Sequence, residues 1–293
     1  MSNYCDLHVH SNFSDGTCTP AELMALAEAA GLSAVALCDH NTVSGLPDFL
    51  AAAEMSAVEA VPGIEFSTDY RGTELHILGL FIRPEHYAPI MEMMADFHRR
   101  KEQSNIDLVE NLNRAGYAID YAAIKASTAD GFVNRAVIAA ALLEKGYVES
   151  IQGAFKTLLK PSHGYYNPPK RPDAFEVIRY IRSIGAAAVL AHPFLNLEEG
   201  ELREFLPQAK AAGLHGMEVL YSKFDAATTA LAEAMAEEFS LLKSGGSDFH
   251  GTNKPDIAVG IGRGDLRIPA EWLKNLKMVV ENFEKQVDIC GNI

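Results

Sequence analysis

The sequence predicts an α/β fold, and three features of the chain predict it. Short apolar runs of strand character alternate with helix-length segments over roughly residues 4–80 and again beyond residue 172. Between Pro84 and about Pro168 long helical periodicities replace that alternation, which reads as a helical insertion over residues 100–168, flanked by a body of residues 1–99 and 169–293. Asp, His and Glu side chains recur where strands give way to loops, the edge at which α/β folds hold their ligands. At 293 residues the chain has room for one (β/α) barrel or two ordinary domains.

In chain order, the first strand carries Asp6-Leu7-His8-Val9-His10. Strict alternation puts Asp6, His8 and His10 on one face, with Leu7 and Val9 on the other. Two imidazoles two residues apart, with Asp6 before them and Asp15 after, form a donor set for a divalent cation, although the stretch alone would also serve as a wet strand face. Thr19-Pro20-Ala21-Glu22 is a helix start with Thr19 as N-cap, and Gly31 is its stop. Ala34–Leu37 is a buried parallel strand running into Cys38-Asp39-His40. A helix over about 44–58 leads to a strand that ends near Glu65. Glu74–Leu80 is another strand, on which His76 by itself reads as a hydrogen-bonded core histidine.

Within the insertion, helices are expected over 91–113, 133–144 and 151–159. Asn134 can cap the helix that Arg135 opens, and a helix N-terminus beside a guanidinium suits a phosphate. Helices over 172–184, 198–212 and 226–239 then alternate with strands at 187–191, 216–220 and 241–242. The first of these strands runs into His192-Pro193. The last runs into the glycine-flanked segment Ser247-Asp248-Phe249-His250, and a short strand and a helix over about 272–280 close the chain.

Charged residues at 22% and apolar ones at 48% are those of a globular protein. With no signal peptide and no apolar run of membrane-span length, the chain is expected in the cytoplasm and away from membranes. Cys5, Cys18, Cys38 and Cys290 form no Cys-x-x-Cys pair, so reduced thiols are expected. A net charge of −14 opposes binding to long duplex nucleic acid, so any phosphate must be drawn in locally by metals or by a few placed Arg and Lys residues.

Asp-Leu-His-Val-His-Ser at 6–11, Cys-Asp-His at 38–40, Gly-Ile-Glu at 63–65, His76, Ala-His-Pro at 191–193 and Gly-Ser-Asp-Phe-His at 246–250 resemble the PHP (polymerase and histidinol phosphatase) family of metal-dependent phosphoesterases. The resemblance covers nearly the whole chain. Together with Gly-Met-Glu-Val at 216–219 it is similar to stand-alone members that remove the 3′-phosphate of nucleoside 3′,5′-bisphosphates or trim short 5′-phosphorylated RNA. It implies a distorted (β/α)7 barrel whose helical insertion caps the active-site face. It also implies two or three divalent ions, Mn2+ foremost, with Zn2+ or Fe2+ also suited by mixed ligation.

By the same resemblance His8, His10, Glu65 and Asp248 would hold one ion, and Glu65 would bridge to a second held by His76 and His192. Asp15, His40 and His250 would hold a third, with Asp6 and Asp39 orienting histidines from behind. Such ions acidify a bridging water and clamp phosphoryl oxygens. Arg135 and Asn134, with Arg99, Lys101 and Lys170, would grip the phosphate that is not cut. Val137 stands where many relatives carry a histidine. Two other readings are a histidinol-phosphate phosphatase, for which no imidazole-binding signature is present, and a non-catalytic metal-stabilised module, against which the full ligand set speaks.

Overall fold

The structure, a computed structural model, describes residues 3–128 and 133–291. Strands β1 (Tyr4–Val9), β2 (Ala34–Leu37), β3 (Glu59–Tyr70), β4 (Thr73–Leu80), β5 (Ala187–Leu190), β6 (Gly216–Tyr221) and β7 (Leu242–Gly246) follow one another round a single sheet. The two-residue β8 (Ile268–Pro269) lies on the free edge of β1. Hydrogen bonds from Asp248 N to His8 O (2.8 Å) and from His10 N to Phe249 O (3.0 Å) join the two ends at the mouth and nearly close a barrel. The helices are α1 (Pro20–Ala29), α2 (Leu46–Ala53), α3 (Tyr87–Arg114), α4 (Tyr121–Ala126) and α5 (Arg135–Glu144). They continue with α6 (Ile151–Lys156), α7 (Ala174–Ser183), α8 (Glu199–Ala212), α9 (Ala226–Glu238) and α10 (Ala270–Gly291).

The α/β barrel expected from the sequence is present, with one departure that shapes the site. β4 runs antiparallel to both β3 and β5, whereas β1–β2, β2–β3, β5–β6 and β6–β7 are parallel. Arg71 and Gly72 connect β3 to β4 with φ of 54° and 87°, the paired positive values of a tight hairpin turn that leaves no room for a helix. β4 therefore delivers the chain to the bottom of the barrel. α3, at 28 residues, rises about 42 Å and carries the chain back up the barrel wall and past the mouth. Its first half packs Ile90, Met94 and Phe97 into the core between strands and outer helices. Its second half packs Leu108, Val109 and Leu112 into a separate core with Ile138, Leu142, Leu159 and Tyr166. Residue 100 thus lies inside one continuous helix rather than at a break.

Small and aliphatic side chains, including Cys5, Leu7, Ala34, Ala36, Leu78 and Val189, form a second inner core. α10 touches β1, β5 and β7, and its Leu273 and Leu276 close that core from below. α1 starts as expected: Thr19 Oγ1 accepts from Glu22 N (3.2 Å) and Glu22 Oε2 accepts from Thr19 N (2.7 Å). α2 is shorter than its expected 44–58, because the chain turns at Ser56 and enters β3 with Glu59 paired to Ala34. α10 is longer than expected. Cys5, Cys18 and Cys38 are free thiols, and the side chain of Cys290 lies outside the described residues. Among the described residues, no helix is long and apolar enough to cross a membrane.

Candidate metal centre

β1 does not alternate strictly. Asp6 pairs with Val35 and Val9 with Leu37, so three steps along β1 oppose two along β2, a β-bulge. In consequence Leu7 joins the inner core while Val9 joins the outer one, contrary to the shared face expected for them. The bulge re-aims His8, and both His8 and His10 are fully buried in the mouth. A second bulge on β6 falls between Glu218 and Leu220, at another residue of the site. β7 comes so close to β1 here that a Cβ on Gly246 would sit 2.1 Å from His8 Cβ, so glycine is required.

All nine predicted ligands line this one mouth, around Glu65 of β3. Glu65 Oε1 lies 2.8 Å from His76 Nδ1 and 3.0 Å from His192 Nε2. Glu65 Oε2 lies 3.2 Å from His8 Nε2, 3.2 Å from His10 Nε2 and 3.1 Å from His40 Nδ1. Asp248 Oδ1 is 3.4 Å from His10 Nε2. On the outer side, Asp15 approaches His250 Nε2 (3.1 Å), His10 Nδ1 (3.5 Å) and His40 Nε2 (3.7 Å). His10 and His40 therefore each touch two groups, where the sequence reading gave each to one. His76 reaches the mouth from the first half of antiparallel β4, not from the carboxyl end of a parallel strand.

Whether these residues fit metal ions is decided by their unpaired atoms. Glu65 Oε2 is buried with three imidazole nitrogens around it, yet it makes no hydrogen bond, and neither do the buried His10 Nδ1 and His40 Nδ1. Unpaired polar atoms in a dry site are costly unless a cation satisfies them. His8/His10/Glu65, His40/Glu65/His76 and His10/Asp15/His40/His250 each offer donor atoms within 4.8 Å of one another. Imidazole and carboxylate donors suit borderline and hard divalent ions, so the set fits.

The charges agree. Burial would raise Asp15, Glu65 and Asp248, but neighbouring His250, His40 and Lys254, in that order, hold all three well below the usual carboxylate range. Burial lowers His10 and His76, but Asp248 and Glu65 lift His10 to about 9, and Glu65 lifts His76 to about 10. For His40 burial prevails, pushing it down to about 3.

The supports behind this cluster differ from those expected. Asp6 holds no imidazole: it accepts from Ser247 N (2.9 Å) and Gly260 N (2.8 Å) and pins β1 to the end of β7. Asp39 likewise braces a loop, accepting from Ser11 N (2.8 Å), Ser11 Oγ (2.6 Å) and Ser14 Oγ (2.6 Å) ahead of Asp15. The orienting carboxylate is Glu218, which sequence reasoning missed. Its Oε1 is 3.0 Å from His8 Nδ1 and its Oε2 accepts from His192 N at 2.6 Å. A lone acid inside the apolar run Met217-Glu218-Val219 was the signal available. Tyr221 Oη and Lys254 Nζ, also missed, hold Asp248 Oδ2 at 2.7 and 2.6 Å, leaving Oδ1 toward the histidines. His250 Nδ1 donates to Asp248 O (2.8 Å), which leaves Nε2 for Asp15. His192 (φ 28°), Asp248 (56°) and Asn41 (58°), three of the six described non-glycine residues with positive φ, lie at this mouth.

Beside the cluster lies a cleft lined by Asp15, His40 and His76 on one side and by Lys101, Asn134, Arg135 and Arg171 on the other. Arg135 lies over the Tyr166 ring, 4.5 Å from its centroid. Arg171 Nη2 pairs with Glu74 Oε2 at 2.6 Å, and Glu74 Oε1 is 3.4 Å from His76 Nε2. Asn134 caps α5 through Ala136 N (2.8 Å) and Val137 N (3.0 Å), as expected. Arg99 and Lys170 do not line the cleft: Arg99 is exposed and paired with Asp96 (3.1 Å), and Lys170 is exposed beside Arg171, which takes the place expected for it. Val137 lines a different groove, with Ile119 and Ala141.

The PHP domain model matches residues 6–166 of this sequence, more than half of it. The chain belongs to the PHP family. It is 33% identical over 252 residues to a Haemophilus influenzae protein named 5′-3′ exoribonuclease, covering 85% of this chain and 91% of that one. It is 28% identical over 257 residues to a Chromobacterium violaceum 3′,5′-nucleoside bisphosphate phosphatase, covering 87% of this chain and 90% of that one. A solved structure from Bifidobacterium adolescentis, described as a candidate metal-dependent phosphoesterase, superposes with a TM-score of 0.84 at 26% identity, over 95% of this chain and 97% of the other. The chain is thus a hydrolase of the PHP metal-dependent phosphatase type, a phosphoric monoester hydrolase by class.

Proposed function

We propose that this PHP enzyme hydrolyses the 3′-phosphate of nucleoside 3′,5′-bisphosphates, giving nucleoside 5′-monophosphate and phosphate. One observation carries the reading: a single cleft holds Asp15, His40 and His76 of the imidazole–carboxylate cluster on one wall and Lys101, Arg135 and Arg171 on the other. One phosphate can meet the cluster while a second phosphate on the same nucleoside meets the cations.

His8, His10, Glu65 and Asp248 would hold one divalent ion, Glu65 with His76 and His192 a second, and Asp15, His40 and His250 a third, with His10 and His40 close enough to contribute to a neighbour. When bound, such ions, Mn2+ first among them, supply Lewis acidity toward phosphoryl oxygens and water. The chain's own residues do the rest. Glu218 and Tyr221 fix the donors His8 and Asp248, so little reorganisation is needed when substrate arrives. Arg135 is held in place against Tyr166, and an incoming phosphate would compete with Glu74 for Arg171.

Release of phosphate from adenosine 3′,5′-bisphosphate, compared with 3′-AMP, tests the reading. A clear preference for the bisphosphate is expected, and equal rates remove the second-phosphate grip. A second reading, 5′-to-3′ trimming of short 5′-phosphorylated RNA, is favoured by the Haemophilus influenzae relative. Both reactions break the same O3′–P bond next to a 5′-phosphorylated nucleoside. Gel analysis of a labelled short oligomer decides it, and intact RNA after long incubation counts against trimming.

A further inference from the structure

Glu74 stands between the cluster and the cations of the cleft. It lies two residues before His76 on β4, so both side chains share a face, and Asn196 Nδ2 donates to its backbone O at 2.8 Å. Its Oε1 is 3.4 Å from His76 Nε2, while His76 Nδ1 lies 2.8 Å from Glu65 Oε1 in the cluster. Its Oε2 is 2.6 Å from Arg171 Nη2 and 3.8 Å from Arg135 Nη2. The Arg171 side chain is only 10% exposed, and among the described residues Glu74 is the acid that it pairs with. A guanidinium this dry needs a counter-charge, and in the enzyme without substrate Glu74 supplies it.

We infer that Glu74 is a positioning residue that stands in for the substrate's second phosphate: it neutralises Arg171 in the free enzyme, yields it when the phosphate binds, and keeps His76 Nε2 as its partner. The inference rests on the function proposed above, in which that phosphate meets Arg135 and Arg171. The exchange acts at both ends of the cycle. A dianionic phosphate with two guanidinium groups in reach displaces a single carboxylate. The nucleoside 5′-monophosphate product holds the same cations through its remaining phosphate, and Glu74 is placed to reclaim Arg171 as the product leaves. The contact with His76 is of a second kind. With Nδ1 directed at the cluster, Nε2 carries the ring proton, and a carboxylate on that side selects this tautomer. One carboxylate thus serves both the donor set and the phosphate grip.

The test uses Mn2+-loaded enzyme, with 5′-AMP as the probe and its inhibition of adenosine 3′,5′-bisphosphate hydrolysis as the readout. Glu74→Gln keeps a carbonyl to accept from His76 Nε2 but loses the charge facing Arg171. The 5′-AMP inhibition constant and the KM for the bisphosphate should therefore both fall about fivefold. In an Arg171→Ala background the same change should leave the inhibition constant unaltered, because Glu74 acts through Arg171. Glu74→Ala should tighten 5′-AMP in the same way at saturating Mn2+. Calorimetric titration of chelator-stripped protein should show it binding Mn2+ about 10–100-fold more weakly than Glu74→Gln does. Wild-type enzyme that prefers the bisphosphate, with 5′-AMP bound no more tightly by either variant, overturns the inference alone. So does an equal gain in the Arg171→Ala background, which assigns Glu74 to plain charge repulsion, and so does equal Mn2+ binding by the two variants, which removes the contact with His76. Wild-type enzyme with no preference for the bisphosphate overturns the proposed function and the exchange together.

Discussion

Replacing Glu218 by Gln should weaken metal binding without unfolding the protein. The buried carboxylate receives His8 Nδ1 (3.0 Å) on one oxygen and His192 N (2.6 Å) on the other. With Nδ1–H donating to Glu218, His8 turns its Nε2 toward Glu65 and His10, where a bound cation would take its lone pair. A glutamine still accepts from His192 N through its carbonyl, but its amide then faces His8 Nδ1 as a donor. The imidazole must turn to the opposite tautomer, and its Nε2 proton points at the metal position. Loss of such a supporting partner costs roughly 10–100-fold in metal affinity, about 1.4–2.7 kcal/mol. Glu218→Ala is harsher, because it strands two buried groups at about 1–3 kcal/mol each. Calorimetric titration of chelator-stripped protein with Mn2+, alongside urea unfolding, separates the two effects. Glu218→Gln with unchanged Mn2+ affinity would falsify the tautomer role and leave Glu218 as a packing residue.

Gly246→Ala should cost about 1–3 kcal/mol of stability and lower metal content, because its Cβ would meet His8 at 2.1 Å; Gly200→Ala, in α8 with open space around it, should be neutral or slightly stabilising, and thermal melts compare them. Raised pKa values of about 9 for His10 and about 10 for His76 mean that both carry protons at pH 7 in metal-free protein. Their ion pairs stabilise the metal-free fold fully below about pH 6.5, and that contribution is lost as pH rises through 9–10. Mn2+ affinity should move the other way, increasing with pH up to that range with proton release, visible by calorimetry in buffers of different ionisation enthalpy; a pH-independent affinity contradicts this. Arg171→Ala should reduce kcat/KM on the bisphosphate by about 10–100-fold with little change on 3′-AMP, whereas Arg99→Ala should alter neither, since an exposed pair contributes at most about 1 kcal/mol.

Much of the barrel was legible in the sequence because strand–helix alternation, the Thr19 cap and the glycine stops are local signals. The identity of the mouth residues was legible for a related reason: acids and imidazoles at strand ends stand out against apolar strands. Direction was not legible. Nothing local in Glu74–Leu80 reports that β4 runs antiparallel, and that reversal is what sends α3 up the barrel wall and brings its Lys101 into the cleft with His40 and His76. The β1 bulge is a pairing between two strands, so a period-two reading put Leu7 and Val9 on one face when they belong to different cores. Supporting residues were the hardest to see. Asp6 and Asp39, adjacent to the ligands in sequence, turned out to hold backbone and loop, while Glu218, 210 residues from His8, holds the ring. Arg171 escaped notice beside Lys170 because only the folded loop shows which of two neighbouring cations turns inward.

An anomalous-difference map from Mn2+-loaded crystals measures most directly whether Glu65 stands between metal ions. Peaks on both sides of its carboxylate are expected, one toward His8, His10 and Asp248 and another toward His76 and His192. A map with no peak among these side chains, from protein whose phosphate release survives chelation, would contradict a metal centre at this mouth.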